Sequence, residues 1–500
     1  MAPNSAVLAV LFAVAIWALQ TITKGLTGPL RHIPGPWYAR FTNLPLKWAT
    51  VTGRRVFHVD ALHRRYGPMV RIAPGEVACS SPETFRDIHR IGRGGFRKGC
   101  WYRAFTGYGA DDDEQCTMFT MLDPVPHARR RKIMARAFSK SEIRRHWERE
   151  MRRKVVDAVG RMEGDAASGV GGEVDVMKWW VLMASDIASL IVFGESFDNL
   201  HTGEKNTYIK ALEASGRASG INAELPLLKY LPLPSVRRLF AMPQTTLDWA
   251  AKTVDNSRKS GSAGVGNIFT SILAEAEADR ASIPDIVLTR EARSFILAGS
   301  DTTAVTLTFL VWCVLARPRL HGELVEELAR AKEEAAALDD DVVAFSDERL
   351  EQLPLLNAVI RETLRLYGAA PGSLPRNPPP GGATVGGVFM PDWVVLSTQS
   401  WSLHRDPTIW ERPEEFDATR WLKEGGLSDE ARAAYNPFGG GARACIGMHI
   451  AEMELRCAVA TFFSRYPKAR LAPGTTDESM VPEYFFIINP SAHECRVVLS

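Results

Sequence analysis

The window Phe438-Gly-Gly-Gly-Ala-Arg-Ala-Cys-Ile-Gly447 constrains this chain more than any other. It puts one cysteine, Cys445, in a glycine-rich loop that runs into a helix expected from about Ile446. A thiolate there sits at a helix N-terminus, where free backbone N–H groups and the helix dipole favour negative charge. Gly439, Gly440 and Gly441 let the backbone turn through conformations closed to other residues, and they leave room for a flat, bulky partner. Arg443, two residues before the cysteine, is suited to pairing with a carboxylate. A thiolate in an apolar loop beside a cation fits the axial ligand of a haem iron. The plainer alternative is an inert, buried cysteine at a helix start.

Five hundred residues allow one large domain or several ordinary ones. A net charge of +2 gives no global argument for nucleic acid. The seven cysteines are odd in number and contain no C-x-x-C pair. That argues against a disulfide framework and a zinc site, and for a reducing compartment. Ala6 to Leu19 is an unbroken apolar run, extendable to about Ile22. It is short for a spanning helix, which needs roughly 17–25 residues, so a signal peptide competes with a membrane anchor. No Lys or Arg precedes the run, and no small-x-small cleavage site follows it. Lys24, Arg31 and Arg40 follow instead, which favours an anchor with the bulk of the chain in the cytosol. His32-Ile-Pro-Gly-Pro36 reads as a stiff spacer behind it.

Strand-like runs are expected at Met69–Ile72, Glu76–Cys79, Thr384–Phe389 and Val394–Thr398, with mainly helices between Ala128 and Leu366. Gly169–Gly172 and Gly261–Gly266 read as surface loops, and Glu333–Asp341 as a solvated acidic stretch. Strands early and late with helices between predict one mainly α (α+β) domain. The expected division is 1–24 anchor, 25–45 proline-rich hinge and 46–500 catalytic domain. So little sequence follows Cys445 that a fused electron-transfer module is not expected, and electrons must come from another protein.

Thr289 to Leu315 reads as one long apolar helix stopped near Pro318. In its middle sits Ala298-Gly-Ser-Asp-Thr-Thr303, a set of residues poorly suited to a buried helix centre. Such a conflict with local propensity points to function, though a kink or a helix contact would also explain it. Gly299 would let a planar group approach the backbone. Thr302 can donate its hydroxyl to a nearby oxygen or water, and Asp301 can relay protons from solvent. On the helix expected from about Leu355 to Tyr367, Glu362 and Arg365 share one face, an arrangement common on surfaces. Asp123 to Lys132 is dense in positive charge, continued by Arg136, Lys140, Arg144, Arg145, Arg149, Arg152, Arg153 and Lys154. That charge suits an acidic protein partner or is simply solvated. Nothing in it alternates aromatic and basic residues as a single-strand groove would.

The spacing Phe438–x–x–Gly441–x–Arg443–x–Cys445–x–Gly447 resembles the haem-binding loop of the cytochrome P-450 family, and the resemblance covers nearly the whole chain. It implies the fold of that family: a large helical domain, small β-sheets and an N-terminal transmembrane helix. It implies haem b with Cys445 as axial thiolate. Ala298–Thr303 then resembles the family's oxygen-activation motif, with Asp301 and Thr302 catalytic and Ala298 and Gly299 against the haem. Arg131, in His127-x-x-x-Arg131, and Arg376, in Gly372-Ser-Leu-Pro-Arg376, resemble its propionate contacts, beside Phe438, Arg443 and Gly447 in the loop. Glu362-x-x-Arg365 matches the family's ion-pair interlock. Its downstream element Ala418-Thr-Arg-Trp421 matches only at Arg420 and the aromatic position. The Pro-Gly-Pro hinge is similar to that of microsomal members, and other stretches to fungal ones that make secondary metabolites.

The resemblance therefore implies an endoplasmic-reticulum protein, single-pass, with a cytosolic catalytic domain. Its implied partners are NADPH-cytochrome P-450 reductase, membrane lipid and a lipophilic small-molecule substrate, with no nucleic acid. The expected substrate is a polyketide, terpenoid or alkaloid intermediate. Pocket walls are expected from Gly92–Phe119, Ala211–Phe240, Ala369–Leu374 and Tyr484–Ile487, with Leu225–Leu239 resting on the membrane. A haem-thiolate isomerase or dehydratase and a non-enzymatic haem sensor or carrier are the rival readings. The Gly-x-Asp-Thr segment, which an isomerase can dispense with, weighs against the first.

Overall fold

In the computed structural model the described residues are 5–90, 95–106, 112–234, 237, 247, 250–251, 267–278, 283–337 and 345–499. The helix Asp285–Leu315 runs through the middle, and Val176–Phe193 packs along it. Helices Lys140–Ser168, Pro354–Tyr367 and Met448–Arg465 enclose the pair. One continuous apolar core unites them, with Trp180, Phe309, Val359 and Phe462 fully buried.

The central helix starts a turn before its expected Thr289, because Pro284 sets its first turn. From Thr303 to Leu315 every residue is buried. Its hydroxyls are tolerated because they bond back to the helix. Ser300, Thr302, Thr306 and Thr308 donate to the carbonyls of Ile296, Ala298, Thr302 and Ala304 at 2.6–2.9 Å. The helix ends at Leu315, and Pro318 opens the next one, Pro318–Ala337.

The strands lie at the periphery. β1 (Met69–Ala73) and β2 (Glu76–Cys79) pair with β8 (Val395–Thr398), β5 (Arg376–Asn377) and β3 (Arg97–Lys98) in the order β1-β2-β8-β5-β3. β4 (Glu173–Asp175), β12 (Arg496–Val498) and β9 (Arg470–Leu471) form a second sheet. β10 (Pro482–Phe485) and β11 (Ile487–Pro490) form a two-stranded ribbon. The single strand expected at Thr384–Phe389 is instead a hairpin of β6 (Ala383–Val385) and β7 (Val388–Met390). Gly386 and Gly387 both take positive φ, 52° and 78°, the geometry of a two-residue reversal. The glycine pair was the missed signal. The loop expected at Gly261–Gly266 lies outside the described residues, as does 338–341 of the acidic stretch.

The apolar helix Ser5–Thr27 is longer than its sequence suggested. Its Val7–Thr27 part has mean hydropathy 1.8, is uncovered except near its end at Gly25, and is long enough to cross a membrane. Two further helices are apolar enough by composition, but Val176–Phe193 and Asp285–Leu315 are largely buried in protein. The Pro-Gly-Pro segment is no free spacer. The Arg71 N–H donates to the Pro34 carbonyl at 2.8 Å, and a Cβ on Gly35 would lie 2.4 Å from the Arg71 carbonyl oxygen. Leu30 and Ile33 are buried beside it.

Candidate active site

The Cys445 loop is shaped by three glycines. Gly439 and Gly441 have φ of 72° and 63°. A Cβ on Gly441 would fall 1.7 Å from the His89 carbonyl oxygen, and one on Gly440 would strike the Phe85 ring at 2.6 Å. No side chain fits at either position. The Cys445 N–H donates to the Phe438 carbonyl at 2.8 Å, closing the loop on itself. The helix behind it begins at Met448, two residues later than expected, because Gly441–Arg443 forms its own short turn and Gly447 caps the helix. The thiol is uncovered although its loop lies within the fold, so it borders interior space. Burial raises its pKa, opposed by the Gly447 N–H and the Arg131 charge.

The central helix is uncovered at one place. Ala298 is exposed and Gly299, Asp301 and Thr302 are half-buried, directly before its fully buried stretch. The helix that follows the Cys445 loop packs against the central helix. Glu454, on the helix after Cys445, is buried; burial lifts its carboxyl to about 8, and the Thr303 hydroxyl pulls it back. Two expectations change here. The Cβ that Gly299 lacks would meet Ala188 at 3.3 Å. Gly299 therefore serves the approach of the helix Val176–Phe193, and Ala298 is the small residue facing the interior. Thr302 spends its hydroxyl proton on the Ala298 carbonyl, so in this geometry its oxygen accepts and does not donate elsewhere.

A cluster of cations lies beside the thiol. Arg131 donates to the Ala444 carbonyl at 2.7 Å. Arg443 donates to the carbonyls of Met121, Leu122 and Asp123 at 2.9–3.2 Å. Arg376 is buried and donates to the Tyr102 hydroxyl at 3.1 Å. Lys98, also buried, gives its ammonium to the Phe119 carbonyl. Among the described residues none of the four makes an ion pair. Burial first, then Arg376 and Arg443, push the Lys98 ammonium well below its ordinary value. Burial, with all four cations, holds His127 neutral down to about 2. A protein does not ordinarily bury such charge unmatched. The arrangement fits a dianionic group whose carboxylates enter among them. Sequence reasoning missed Lys98, which stands in no recognisable motif.

Glu362 anchors the scaffold and is not a surface residue. Glu362 and Arg365 are fully buried. The Glu362 carboxylate accepts from Arg365 Nε and Nη2 at 2.9 and 2.8 Å and from Arg420 Nε at 2.9 Å. The Trp421 indole and the Asp417 N–H complete it, both at 2.9 Å. The basic run, by contrast, is largely neutralised. Lys140 and Arg144 pair with Glu351, Arg144 also with Asp347, Arg136 with Glu275, Arg153 with Glu150, and buried Lys154 with Asp186. Arg145 and Arg149 are exposed and make no ion pair among the described residues. Parts of the expected pocket walls, 92–94, 107–111, 235–236 and 238–240, lie outside the described residues.

Residues 34–493 match the family model described as Cytochrome P450. The chain is 39% identical to the cytochrome P450 monooxygenase stcB of Emericella nidulans, over 96% of this chain and 90% of the relative. It is 39% identical to the cytochrome P450 monooxygenase aflV of Aspergillus parasiticus, over 97% and 94%. It is also 32% identical to a methylphloroacetophenone oxidase of Cladonia uncialis, over 79% and 86%.

Proposed function

Because this chain belongs to the cytochrome P450 family, we infer that it is a haem-thiolate monooxygenase inserting one atom of O2 into an apolar C–H or C=C bond of a small secondary metabolite. Membership makes it an oxidoreductase with a haem-thiolate iron, a redox partner and a small-molecule substrate. We assign haem b, a separate NADPH-cytochrome P450 reductase, and a polyketide, terpenoid or alkaloid substrate class. The observation that carries the assignment is the uncovered Cys445 thiol beside Lys98, Arg131, Arg376 and Arg443, cations with no carboxylate partner among the described residues.

In this reading Cys445 would hold the iron, and the four cations would hold the two propionates of the macrocycle. Phe438 and Gly447 frame Cys445, and exposed Ala298 would offer the macrocycle a small surface. When bound, the haem would supply the oxygen-activation chemistry, which a thiolate ligand favours. The chain supplies the protons. Asp301 takes them from solvent, and the Thr302 oxygen, its own proton turned to Ala298, accepts from and fixes a water. Arg145 and Arg149 remain open to an acidic electron donor.

Incubation with such a reductase, NADPH and substrate tests the reading. Thr302→Ala should keep haem and substrate binding yet release hydrogen peroxide, with a several-fold fall in product per NADPH. Asp301→Asn should slow turnover by ~10-fold or more, within the range of acid–base contributions, while uncoupling it less. An unchanged rate and coupling ratio in Thr302→Ala would move the isomerase reading ahead.

We place the protein in the endoplasmic-reticulum membrane with the catalytic part cytosolic, supported by the apolar helix Ser5–Thr27 and the cations after it. Deleting residues 1–27 should leave a haem-loaded protein that partitions less into membranes. The deletion stops at Thr27 because Leu30 and Ile33 belong to the core. Unchanged membrane partition would shift anchoring to another surface, such as exposed Leu227, Tyr230 and Leu233. Residues 235–236 and 238–239 of that run lie outside the described residues.

A further inference from the structure

Five aromatic rings converge at the edge of the cation cluster. Trp101, Tyr102 and Phe105 come from the short turn Cys100–Phe105, Phe119 from the segment after it, and Phe486 from the β10–β11 reversal. Ring centroids lie 4.9 Å apart for Trp101 and Phe105, 5.4 Å for Phe105 and Phe486, 5.7 Å for Trp101 and Phe486, and 6.0 Å for Phe119 and Phe486. Tyr102 is buried behind the others, which stay partly uncovered. The lower edge of this wall meets the cations. The Lys98 ammonium is 4.2 Å from the Tyr102 centroid and 4.5 Å from that of Phe119. The wall therefore borders the cofactor space assigned above.

The backbone is strained to complete it. Phe485 pairs with Ile487, so Phe486 alone makes the reversal, with φ of +86°. A bulky residue rarely adopts that conformation, and glycine would adopt it freely. What phenylalanine adds is the ring. Strain held at a site bordering a pocket is a pointer to its use. At the wall's other end stands Glu224, the last residue of helix Thr207–Glu224. Its carboxylate accepts from the Trp101 indole at 3.2 Å, and its carbonyl accepts from the Lys47 ammonium at 2.6 Å. A fixed acceptor thus caps an aromatic surface.

We propose that the substrate is a flat aromatic molecule carrying a hydroxyl, stacked against Phe486, Trp101 and Phe105, with the hydroxyl donating to Glu224. The proposal rests on the monooxygenase reading and narrows its substrate class. Each aromatic pair adds about two- to tenfold in affinity beyond the area buried. A saturated molecule of the same outline forgoes that gain. A carboxylate cap selects a donor and repels an anion.

The test uses the full-length haem-loaded protein and three probes, with affinity read from the change in the haem spectrum. 2-Naphthol should bind ~10-fold or more tighter than decahydro-2-naphthol, which has the same skeleton and hydroxyl without the rings. Phe486→Leu should cut that preference to about threefold or less by weakening 2-naphthol alone, and Phe486→Trp should keep it. Glu224→Leu should weaken 2-naphthol but not 2-methoxynaphthalene, which cannot donate. The carbon monoxide spectrum of the parent is recorded first. Its absence overturns the haem-thiolate reading and this proposal with it. With that spectrum present, equal affinity for 2-naphthol and its saturated counterpart overturns the substrate class alone. So does a Phe486→Leu loss shared by both. Unaltered 2-naphthol binding in Glu224→Leu overturns the hydroxyl contact.

Discussion

Cys445→Ser is expected to abolish the thiolate-type carbon monoxide spectrum of the reduced protein while leaving its fold intact. The other cysteines are unsuited to the role. Cys79, Cys116, Cys313, Cys457 and Cys495 are buried, and burial alone pushes Cys79 to about 12 and, as the largest cause, Cys457 to the same value. Burial raises Cys445 as well, but there the Gly447 N–H and the Arg131 guanidinium oppose it, so a thiolate has local support. Serine preserves the backbone contacts, since the Cys445 N–H to Phe438 bond is a main-chain one. A hydroxyl with a far higher pKa does not replace the thiolate as a donor to iron. Cys100, exposed on its short turn, is the control: Cys100→Ser should keep the spectrum. A parent-like spectrum in Cys445→Ser would refute the ligand assignment. Circular dichroism separates loss of ligand from loss of fold.

What the sequence made legible was local. The Cys445 loop stands out because three glycines, an arginine and a cysteine fall at fixed spacing, and the steric reason is now visible in the His89 carbonyl and the Phe85 ring. The central helix stands out because its polar residues contradict its apolar surroundings. Features decided by distant partners were not legible. Gly299 reads like a cofactor-facing glycine until Ala188 of another helix is seen against it. Lys98 is one lysine in an unremarkable stretch until β3 pairs with β5 and sets it near Arg376. In the basic run from Arg136 to Lys154, Arg136, Lys140, Arg144 and Lys154 lose their apparent charge to Asp186, Glu275, Asp347 and Glu351, which lie far off in sequence. Phe486 carries no signal at all, because its significance lies in a backbone angle.

The Glu362–Arg365 pair is the sharpest instance, and it carries the second large effect. Glu362→Ala should yield little haem-loaded protein and a much lower melting temperature. At the sequence level an i,i+3 pair contributes about 0.2–0.5 kcal/mol on a surface. Here five donors converge on one buried carboxylate. Removing it strands two buried guanidinium groups, at a cost of roughly 3–5 kcal/mol. That is a large share of the 5–15 kcal/mol that is typical of a folded domain. The damage also reaches the site. Arg365 donates to the carbonyls of His404, Pro413 and Glu415, and the Arg365 carbonyl bonds the His404 ring at 2.8 Å. The other nitrogen of that ring takes the Asn436 N–H at 3.0 Å, two residues before Phe438. The interlock thus holds the strand of chain that enters the thiolate loop. Glu362→Gln should fail nearly as badly, because an amide nitrogen would face donors where an oxygen accepted. Arg420→Lys should be milder, since Arg365 keeps both of its bonds to the carboxylate. Thermal melting and the haem-to-protein ratio of the full-length variants measure this. A Glu362→Ala protein with parental melting and full haem would show that Arg365 and Arg420 find water or other partners, and that the loop is held without them.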